Sequence, residues 1–350
     1  MKLLIINRVQ FGYLIDNYYF CKYANNDFEI TYLGFYTGKP LKKINNINVK
    51  HVTYTKNKLK NYINFFSGIF KEMQKTNDVV FITYFPFVFI FRIFFPNKKI
   101  ILDIRTGSVN RSIYKRKFQD KLLKFGTLFF KHITIISEGL AKKIGLKKYH
   151  LLPLGAERKD YSTKKFSTLR IIYIGTLNNR KIEDTIAGIE LFLKNNPKWQ
   201  NLEYIIIGDG YHEERNKLKK LVNDKNLETN IRLPGYIHHE ELDEYLENAN
   251  VGVSYIPIDE RFNVQPPTKT YEYLLSGIVT IATDTDENRK VINKQNGVLI
   301  EDNPTSFAKG LEHIANNLDN YNPEEIKQNM KNFEWVNIIQ NNLIPYIKSI

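Results

Sequence analysis

The sequence is poor in cysteine. The single residue of this type, Cys21, excludes any disulfide within the chain. A lone cysteine is more often a small buried apolar residue than a nucleophile, and it suits a reducing cytoplasm. The first predicted strand, residues 2–7, runs directly into a polar loop without a cleavage site, so we expect no secretory signal.

Several catalytic and cofactor motifs are also missing. There is no glycine-rich loop ending in Gly-Lys-Ser/Thr and no Gly-x-Ser-x-Gly, and the seven histidines show no zinc-binding spacing. The nearest approach to a dinucleotide fingerprint, Gly208-Asp209-Gly210, has Glu213 where the third glycine belongs. Because carboxylates at that helix start would repel a pyrophosphate, NAD and FAD are excluded at this loop.

Long apolar runs are rare, and one of them needs a separate explanation. Residues 79–95 read VVFITYFPFVFIFRIFF, which is about the length of a short membrane span. Pro86 and Arg92 interrupt the run, so it divides better into a strand over residues 79–84 and a buried helix over 87–95. We therefore expect no transmembrane helix here.

Negative charge is scarce in the first half of the chain. The net charge is +14, yet residues 1–168 hold 31 Lys and Arg against 10 Asp and Glu, and residues 169–350 hold 20 against 27. A lysine-rich genome would not confine the excess to one half. The asymmetry predicts an anionic partner for that half: nucleic acid, an anionic membrane surface or a polyphosphate-linked substrate.

What the sequence does contain is a twice-repeated alternation of short apolar runs and helical segments. Such alternation is typical of parallel β/α units, and 350 residues suit two such domains. We predict an α/β fold with two Rossmann-like domains facing a central cleft, over residues 1–160 and 169–320. Residues 157–168 are predicted to be a linker, and residues 321–350 a helical segment that crosses back to the first domain. Predicted helices include residues 59–76, 182–195, 213–225, 240–247, 269–276 and 323–350.

Residues 111–131 predict a basic amphipathic helix. Apolar residues recur at helical spacing and basic residues occupy much of the rest: Ile113, Tyr114, Phe118, Leu122 and Phe125, with Lys115, Arg116, Lys117, Lys121 and Lys124. Such a helix can lie on an anionic bilayer, and it can equally be a surface helix packed on the sheet. Both interpretations stay open at this point.

One helix start in the second half carries a cation where none is favourable. Pro267 leads into a predicted helix with Thr268 as its N-cap, Lys269 in the first turn and Glu272 one turn further on the same face. Because the helix dipole disfavours a cation there, a bound anion would explain Lys269, and Glu272 could then accept hydrogen bonds from ribose hydroxyls. A Lys–Glu surface pair is the simpler alternative.

A second loop has the same character. Gly175 permits a sharp turn at the end of a predicted strand, and Arg180-Lys181 stand at the start of the next helix. Two such sites in one domain could clamp a diphosphate. The pair Asp284 and Asp286 could hold a metal ion, but we favour a turn and helix-cap role and expect no metal.

These segments resemble the donor domain of the retaining family-4 glycosyltransferases, which have the GT-B fold. The likeness covers residues 169–304 well and residues 2–155 only by architecture. Four segments occur in the family's order and approximate spacing: IYIG followed by Arg180-Lys181, IIGDG at 206–210, LPGYI at 233–237 and PTKTYEY at 267–273.

The resemblance implies roles for individual residues. Arg180 or Lys181, together with Lys269, would bind the donor diphosphate without a metal or other cofactor, and Glu272 would hold the ribose. The backbone of Tyr236 and Ile237 would meet the base. The family's first glutamate, eight residues before Glu272, is replaced here by Val264, which puts contacts to the donor sugar in doubt.

In the first domain, three residues are candidates for the same reaction. Asp103 and Arg105 follow a predicted strand over residues 99–102 and should line the cleft as catalytic or acceptor-binding groups. A loop salt bridge between them is at least as plausible. Gly12, in the loop after the first strand, would let the backbone approach the donor phosphates.

The sequence thus predicts a retaining transferase that moves a sugar from a nucleotide-sugar, with UDP favoured, to a lipid-linked or polysaccharide acceptor in cell-surface polysaccharide synthesis. We expect it in the bacterial cytoplasm or peripherally on the inner membrane. Rival interpretations are a GT-B sugar-nucleotide 2-epimerase, a degenerate transferase subunit and a basic nucleic-acid-binding protein. The last lacks a recognised module and leaves Lys269 and Glu272 unexplained.

Overall fold

The computed structural model describes residues 1–161, 168–238 and 241–350. Two compact units are present: unit 1 comprises Met1–Leu154 with Trp335–Ile350, and unit 2 comprises Gly155–Glu334. The predicted linker over residues 157–168 and the predicted helix over 240–247 lie partly outside the described residues.

Unit 1 is built on a seven-stranded sheet in the order β3-β2-β1-β4-β5-β6-β7, and neighbouring strands are parallel. Its central strands are short runs of β-branched and aromatic residues buried on both faces, as a sheet covered by helices requires. The strands are β1 Lys2–Ile6, β2 Glu29–Tyr36, β3 Ile47–Thr53, β4 Val79–Thr83, β5 Ile100–Ile104, β6 His132–Ile135 and β7 His150–Leu151.

Helices cover both faces of this sheet: α1 Ile15–Ala24, α2 Lys58–Met73, α3 Phe89–Phe94, α4 Ile113–Thr127 and α5 Glu138–Ile144. Parallel crossovers are right-handed, so α2, α3 and α4, which all lead the chain the same way across the sheet, share one face. Aromatic contacts join these three helices side by side: Phe66 of α2 meets Phe91 of α3 at 4.9 Å, and Phe89 of α3 meets Phe125 of α4 at 5.4 Å.

The C-terminal segment of unit 1 packs on α1. It consists of α12 Trp335–Ile338, a π-helical turn Ile339–Leu343 and α13 Ile344–Ser349. Trp335 is fully buried, with its ring stacked on Tyr19 and edge-on to Phe20. This indole therefore fastens the end of the chain to the first helix.

Unit 2 is built on a six-stranded parallel sheet in the order β10-β9-β8-β11-β12-β13. The strands are β8 Arg170–Ile174, β9 Glu203–Ile207, β10 Ile231–Gly235, β11 Val251–Ser254, β12 Val279–Thr283 and β13 Gly297–Ile300. The helices are α6 Ile182–Asn195, α7 His212–Asp224, α8 Leu242–Asn248, α9 Thr268–Leu275, α10 Pro304–Asn316 and α11 Pro323–Asn329.

Helix α9 lies unusually close to this sheet. A Cβ on Gly252 of β11 would come within 2.4 Å of the Tyr273 ring, so only glycine admits the ring there. The Tyr273 hydroxyl accepts a hydrogen bond from the Ile174 backbone N–H at 2.8 Å, at the end of β8. Helix α9 is thereby fixed between β8 and β11.

The predicted two Rossmann-like α/β units are confirmed, but the last predicted helix differs from the structure. The helix expected over residues 323–350 is broken into α11, α12 and α13. A 3₁₀ turn at Lys331–Phe333 and an extended Glu334 separate α11 from α12. Among the described residues, every helix is too short or too polar to serve as a membrane span.

Replacing Trp335 by alanine should weaken unit 1 selectively. Loss of a fully buried indole costs about 3–5 kcal/mol of unfolding free energy, because its contacts with Tyr19 and Phe20 are lost and a cavity remains in their place. Hydrogen–deuterium exchange should accelerate in α1 and β1 and stay unchanged in β8 and β11. The matched control is Trp199→Ala, at a partly exposed indole of unit 2. Unaltered protection of α1 in Trp335→Ala would contradict the anchoring role.

Candidate functional site

The sheet of unit 2 has a topological switch point between β8 and β11. From β8 the chain continues to β9 on one side, whereas from β11 it continues to β12 on the other. The loops that leave the carboxyl ends of two such strands separate and open a crevice, where ligands of open α/β sheets bind. The glycine turn after β8 and the start of α9 both lie at this edge.

Lys269 lies in the first turn of α9, and its ammonium group lies beside the turn that follows β8. Its Nζ lies 3.6 Å from the centroid of the Tyr173 ring, is shielded from solvent and has no hydrogen-bond partner among the described residues. Burial lowers the pKa of Lys269 well below its ordinary value, and the charge of Arg180 lowers it further against the opposing effect of Glu272. A buried cation of this kind is costly unless something anionic joins it.

Gly175 makes room for this ammonium. The residue adopts a φ of +148°, and a Cβ there would lie 2.9 Å from the Lys269 Nζ. Its own carbonyl oxygen would lie only 1.8 Å from a Cβ placed on Gly208, after β9. The two glycines therefore let the turns after β8 and β9 touch while leaving the backbone beside Lys269 bare.

Arg180 supplies a second cation to the same place. Its guanidinium carbon lies 4.2 Å from the centroid of the Phe262 ring, in the loop between β11 and α9. Burial lowers the pKa of Arg180, and its charge is close enough to Lys269 to depress that pKa too. Two cations thus face one small volume although like charges repel, which favours a polyanion as the missing partner.

Glu272 lies one helical turn beyond Lys269, as its spacing predicts. Its carboxylate makes no hydrogen bond or ion pair with the described residues, and burial raises its pKa against the charges of Lys269 and Lys159. The simple Lys–Glu surface pair is therefore not what the structure contains. A carboxylate left open beside two cations can accept hydrogen bonds from hydroxyl groups.

Lys181 occupies a different place from Arg180, although the two are adjacent in sequence. It is the left-handed N-cap residue of α6, with a φ of +52°, and its ammonium pairs with Asp302 at 2.8 Å. Of the two cations that the sequence offers for the diphosphate, the geometry thus places Arg180, and not Lys181, beside Lys269. The helix cap is also shifted, because α9 begins at Thr268 and Pro267 is its N-cap residue, without a side-chain cap.

Tyr236 and Ile237 follow β10 at the same edge of the sheet. Tyr236 is 62% exposed, and its ring lies edge-on to His238. Ile237 packs on the apolar cluster that includes Tyr273 and Ile207. The predicted contact of their backbone with a base stays a prediction.

In unit 1, Asp103 is placed differently from expectation. It was expected after its strand, open to a cleft, whereas it lies within β5, fully buried, where it accepts a hydrogen bond from Thr134 at 2.8 Å. Burial raises the pKa of Asp103 to about 7, against the charge of Arg105 and the hydrogen bond from Thr134. The strand and its pairing with β6 continue to Ile104, two residues beyond the predicted end, so Asp103 lies inside the sheet and not in the loop after it.

Arg105 and Gly12 complete the predicted set in unit 1. Arg105 donates to Asp16 and to the Leu152 carbonyl oxygen, and its Nη1 lies 4.0 Å from the nearer Asp103 oxygen. It also lines a cavity of about 500 Å³ at the carboxyl ends of β1, β4 and β5. Gly12 has a φ of +87°, and a Cβ there would clash with the Lys42 side chain.

The pair Asp284 and Asp286 is engaged with protein groups. Arg289 binds both carboxylates, and Asn263 donates to Asp286. Among the described residues there is no cluster of three or more metal-ligating side chains.

Sequence reasoning missed two aromatic rings of the site. The ammonium of Lys269 lies over the Tyr173 ring, and the guanidinium of Arg180 lies over the Phe262 ring. Tyr173 reads as an ordinary strand residue, and Phe262 lies in a loop without periodicity. Only the approach of β8, α9 and the β11–α9 loop reveals them.

Comparisons with known proteins agree with this geometry. Residues 168–317 match the family model described as Glycosyl transferases group 1. No curated protein sequence matches significantly.

Many solved structures are similar in fold, and the three described here are each below 25% identity. Anabaena HepE in complex with UDP and glucose has a TM-score of 0.79 at 12% identity, over 100% of both chains. Sucrose-phosphate synthase from Thermosynechococcus elongatus has 0.78 at 14%, over 100% of this chain and 99% of that one. The lipopolysaccharide outer core galactosyltransferase WaaB has 0.71 at 13%, over 100% of both.

The fold and the matched domain define the class of protein, and the predicted GT-B fold and enzyme class are confirmed: this is a glycosyltransferase. The match to the Glycosyl transferases group 1 model covers residues 168–317, which is somewhat less than half of the chain. The finer assignment to family 4 and the retaining stereochemistry stay predictions.

Replacing Lys269 by methionine should stabilise unit 2. Methionine keeps most of the apolar stem against the Tyr173 ring and removes an unpartnered buried cation, a change worth about 1–3 kcal/mol. Chemical denaturation at neutral pH would measure the gain in unfolding free energy. Hydrogen exchange protection of β8 and β11 would show that the gain lies in unit 2. A less stable methionine variant would contradict the idea that the ammonium is held at a cost.

The stability of the unmodified protein should also depend on pH through Lys269. The folded state gives up this proton at a lower pH than the unfolded state, whose lysine pKa is about 10.4. Between the two pKa values the unfolded state binds more protons, so stability rises with pH across that window and is lowest below it. Lys269→Met should flatten this slope in pH-dependent denaturation, whereas Lys181→Met should retain it.

Proposed function

We propose that the enzyme transfers a sugar from a nucleoside-diphosphate sugar, with UDP as the favoured nucleotide, and that it retains the anomeric configuration. The supporting observation is the unpartnered ammonium of Lys269, set beside the bare backbone of Gly175 and next to Arg180 at the switch point. A diphosphate matches this pair in charge and size. Among structures of similar fold, Anabaena HepE is in complex with UDP and glucose, and an E. coli protein is bound with UDP-2-fluoro glucose.

The chemistry follows from where negative charge grows. Breaking the bond between sugar and diphosphate leaves a nucleoside diphosphate, and the leaving oxygen gains charge in the transition state. Lys269 and Arg180 are already desolvated and held against aromatic rings, so they need little reorganisation to stabilise that charge. In our proposal, they serve the role that a divalent metal has in other transferases.

The remaining donor contacts are assigned by the same logic. Glu272, whose carboxylate lies near Lys269 and Lys159, would accept hydrogen bonds from the ribose hydroxyls. The backbone after β10, at Tyr236 and Ile237, would meet the base, and the positive-φ turn at Gly12 would approach the phosphates. Val264 stands where the resembled family has a glutamate, so backbone groups would have to hold the sugar itself.

For the acceptor, we propose a lipid-linked or polysaccharide hydroxyl in cell-surface polysaccharide synthesis at the inner face of the cytoplasmic membrane. The cavity of unit 1 supports an acceptor with an apolar portion and an anionic group. Its walls are largely apolar, with Phe35, Tyr84, Phe85 and Leu123 among them, and Arg8 and Arg105 stand at its lining. The acceptor oxygen would attack the face that the diphosphate leaves, and the departing phosphate would take its proton.

Lys269→Gln should weaken UDP binding by roughly tenfold to a hundredfold, because a charge-assisted contact to the diphosphate is lost. Lys181→Gln is the matched control, since it removes a neighbouring cation that is already paired with Asp302, and it should change affinity less than threefold, roughly the value of an exposed ion pair. Isothermal titration calorimetry with UDP measures both. Equal losses in the two variants would refute the assignment of the diphosphate to Lys269.

Glu272→Gln should separate the ribose contact from the diphosphate contact. UDP affinity should fall about tenfold, because an ionised acceptor of hydroxyl hydrogen bonds is replaced by a neutral one. Affinity for inorganic pyrophosphate, which has no ribose, should stay unchanged or rise. A parallel loss for both ligands would mean that Glu272 acts on the site's charge and not on the sugar ring of the nucleotide.

Turnover itself needs a screen of UDP-, GDP- and ADP-sugars for donor hydrolysis or transfer. Proton NMR of the first product should show the anomeric configuration of the donor. An inverted anomer would overturn the retaining mechanism, epimerised donor would favour the 2-epimerase, and nucleotide binding without turnover would favour a degenerate subunit.

A further inference from the structure

The helical layer formed by α2, α3 and α4 presents large apolar side chains to solvent. Tyr114 is 84% exposed, Leu128 75% and Phe118 68%, and Ile93, Phe94 and Phe125 are also exposed. We call the outward side of these three helices the α2–α4 face. Isolated exposed apolar residues are ordinary, but a group of this size on one side of a layer marks an interaction surface.

The exposed residues form one surface because the helices beneath them are packed together. Phe89 of α3 meets Phe125 of α4 at 5.4 Å, and Phe94 of α3 meets Phe70 of α2 at 5.2 Å. On α4, Tyr114, Phe118 and Phe125 follow helical spacing on the side opposite to the buried Leu123 and Thr127. The stripe on α4 therefore continues into α3.

Charge on this layer is of one sign. Lysines and arginines number three in α2, one in α3 and five in α4, against one carboxylate in α2, one in α4 and none in α3. Both carboxylates are already neutralised: Glu72 pairs with Lys50 and Lys75, and Asp120 with Lys143 and the backbone N–H of Ser108. Of the nine cations, Lys115, Lys117, Lys121 and Lys124 are exposed on α4 beside the apolar stripe.

We propose that the α2–α4 face docks on an anionic lipid bilayer, with the aromatic and aliphatic side chains in the interface and the lysines on lipid headgroups. Aromatic side chains at headgroup level and a rim of lysines both strengthen binding to an anionic bilayer. A nucleic-acid backbone would use the lysines but would leave the apolar side chains in water. This inference concerns unit 1 alone and holds or fails separately from the donor site of unit 2.

Flotation of the full chain with vesicles tests the apolar contribution. Binding should be strong to vesicles with about 30 mol% phosphatidylglycerol and at least tenfold weaker to neutral phosphatidylcholine. Tyr114→Ser/Phe118→Ser should lower the partition coefficient at least tenfold, since two exposed rings lose their interfacial burial. Leu41→Ser, at an exposed site outside the three helices, is the control and should bind normally.

The lysine variants test the electrostatic contribution. Lys117→Gln/Lys121→Gln should reduce partitioning about thirtyfold, from roughly 1 kcal/mol per lysine at a charged surface. Lys219→Gln/Lys220→Gln removes the same charge from α7 and should have little effect. Raising the salt from about 0.05 to 0.5 M should weaken binding of the unmodified chain and narrow the gap between the variants.

Equal binding to neutral and anionic vesicles would overturn the proposal, and so would unchanged binding of the Tyr114→Ser/Phe118→Ser variant. A third contrary result would be a chain that does not bind vesicles but forms a dimer in light scattering, with the dimer lost in this variant. Circular dichroism and thermal unfolding of each variant should match those of the unmodified chain, because the altered side chains are exposed. UDP affinity measured without lipid should be the same in all of them, so a failure of the donor-site proposal is seen independently.

Discussion

The candidate site of unit 2 is organised around one ammonium group that is held away from water without a hydrogen-bonded counter-charge. Lys269 meets the face of Tyr173 and has no hydrogen-bond partner among the described residues. Its position follows from Tyr273, one turn later, which is locked to the sheet through Gly252 and the Ile174 N–H. Burying this unpaired cation lowers the stability of the ligand-free protein, and in our proposal the binding of an anionic ligand restores that stability.

The second cation is the reason why we propose a polyanion as the ligand. Arg180 sits on Phe262 close enough to lower the pKa of Lys269. A single negative charge would relieve one of the two groups, whereas a diphosphate relieves both. The neighbouring Lys181 contributes little to this balance, because Asp302 already neutralises it.

In unit 1, the positive charge that the sequence concentrates in the first half of the chain is unevenly distributed in space. Much of its positive excess lies on the helices of one face, where both carboxylates are paired. The same helix, α4, lines the cavity through Leu122 and Leu123 and presents Tyr114 and Phe118 outward. In our proposals, the unit that docks on the bilayer is also the unit whose cavity holds a lipid-linked acceptor.

The sequence by itself determined the alternation of strands and helices, and with it two parallel sheets, because buried strands of this kind read as short apolar runs. It also determined the Lys269–Glu272 spacing, since i and i+3 share a helix face whatever surrounds them. Only the tertiary structure decided between Arg180 and Lys181, which are adjacent in sequence but contact different groups, Phe262 and Asp302 respectively. It likewise decided that Asp103 is buried within β5 and that Tyr173 and Phe262 belong to the site. These outcomes depend on how segments distant in sequence approach one another, and no local pattern of residues encodes that approach.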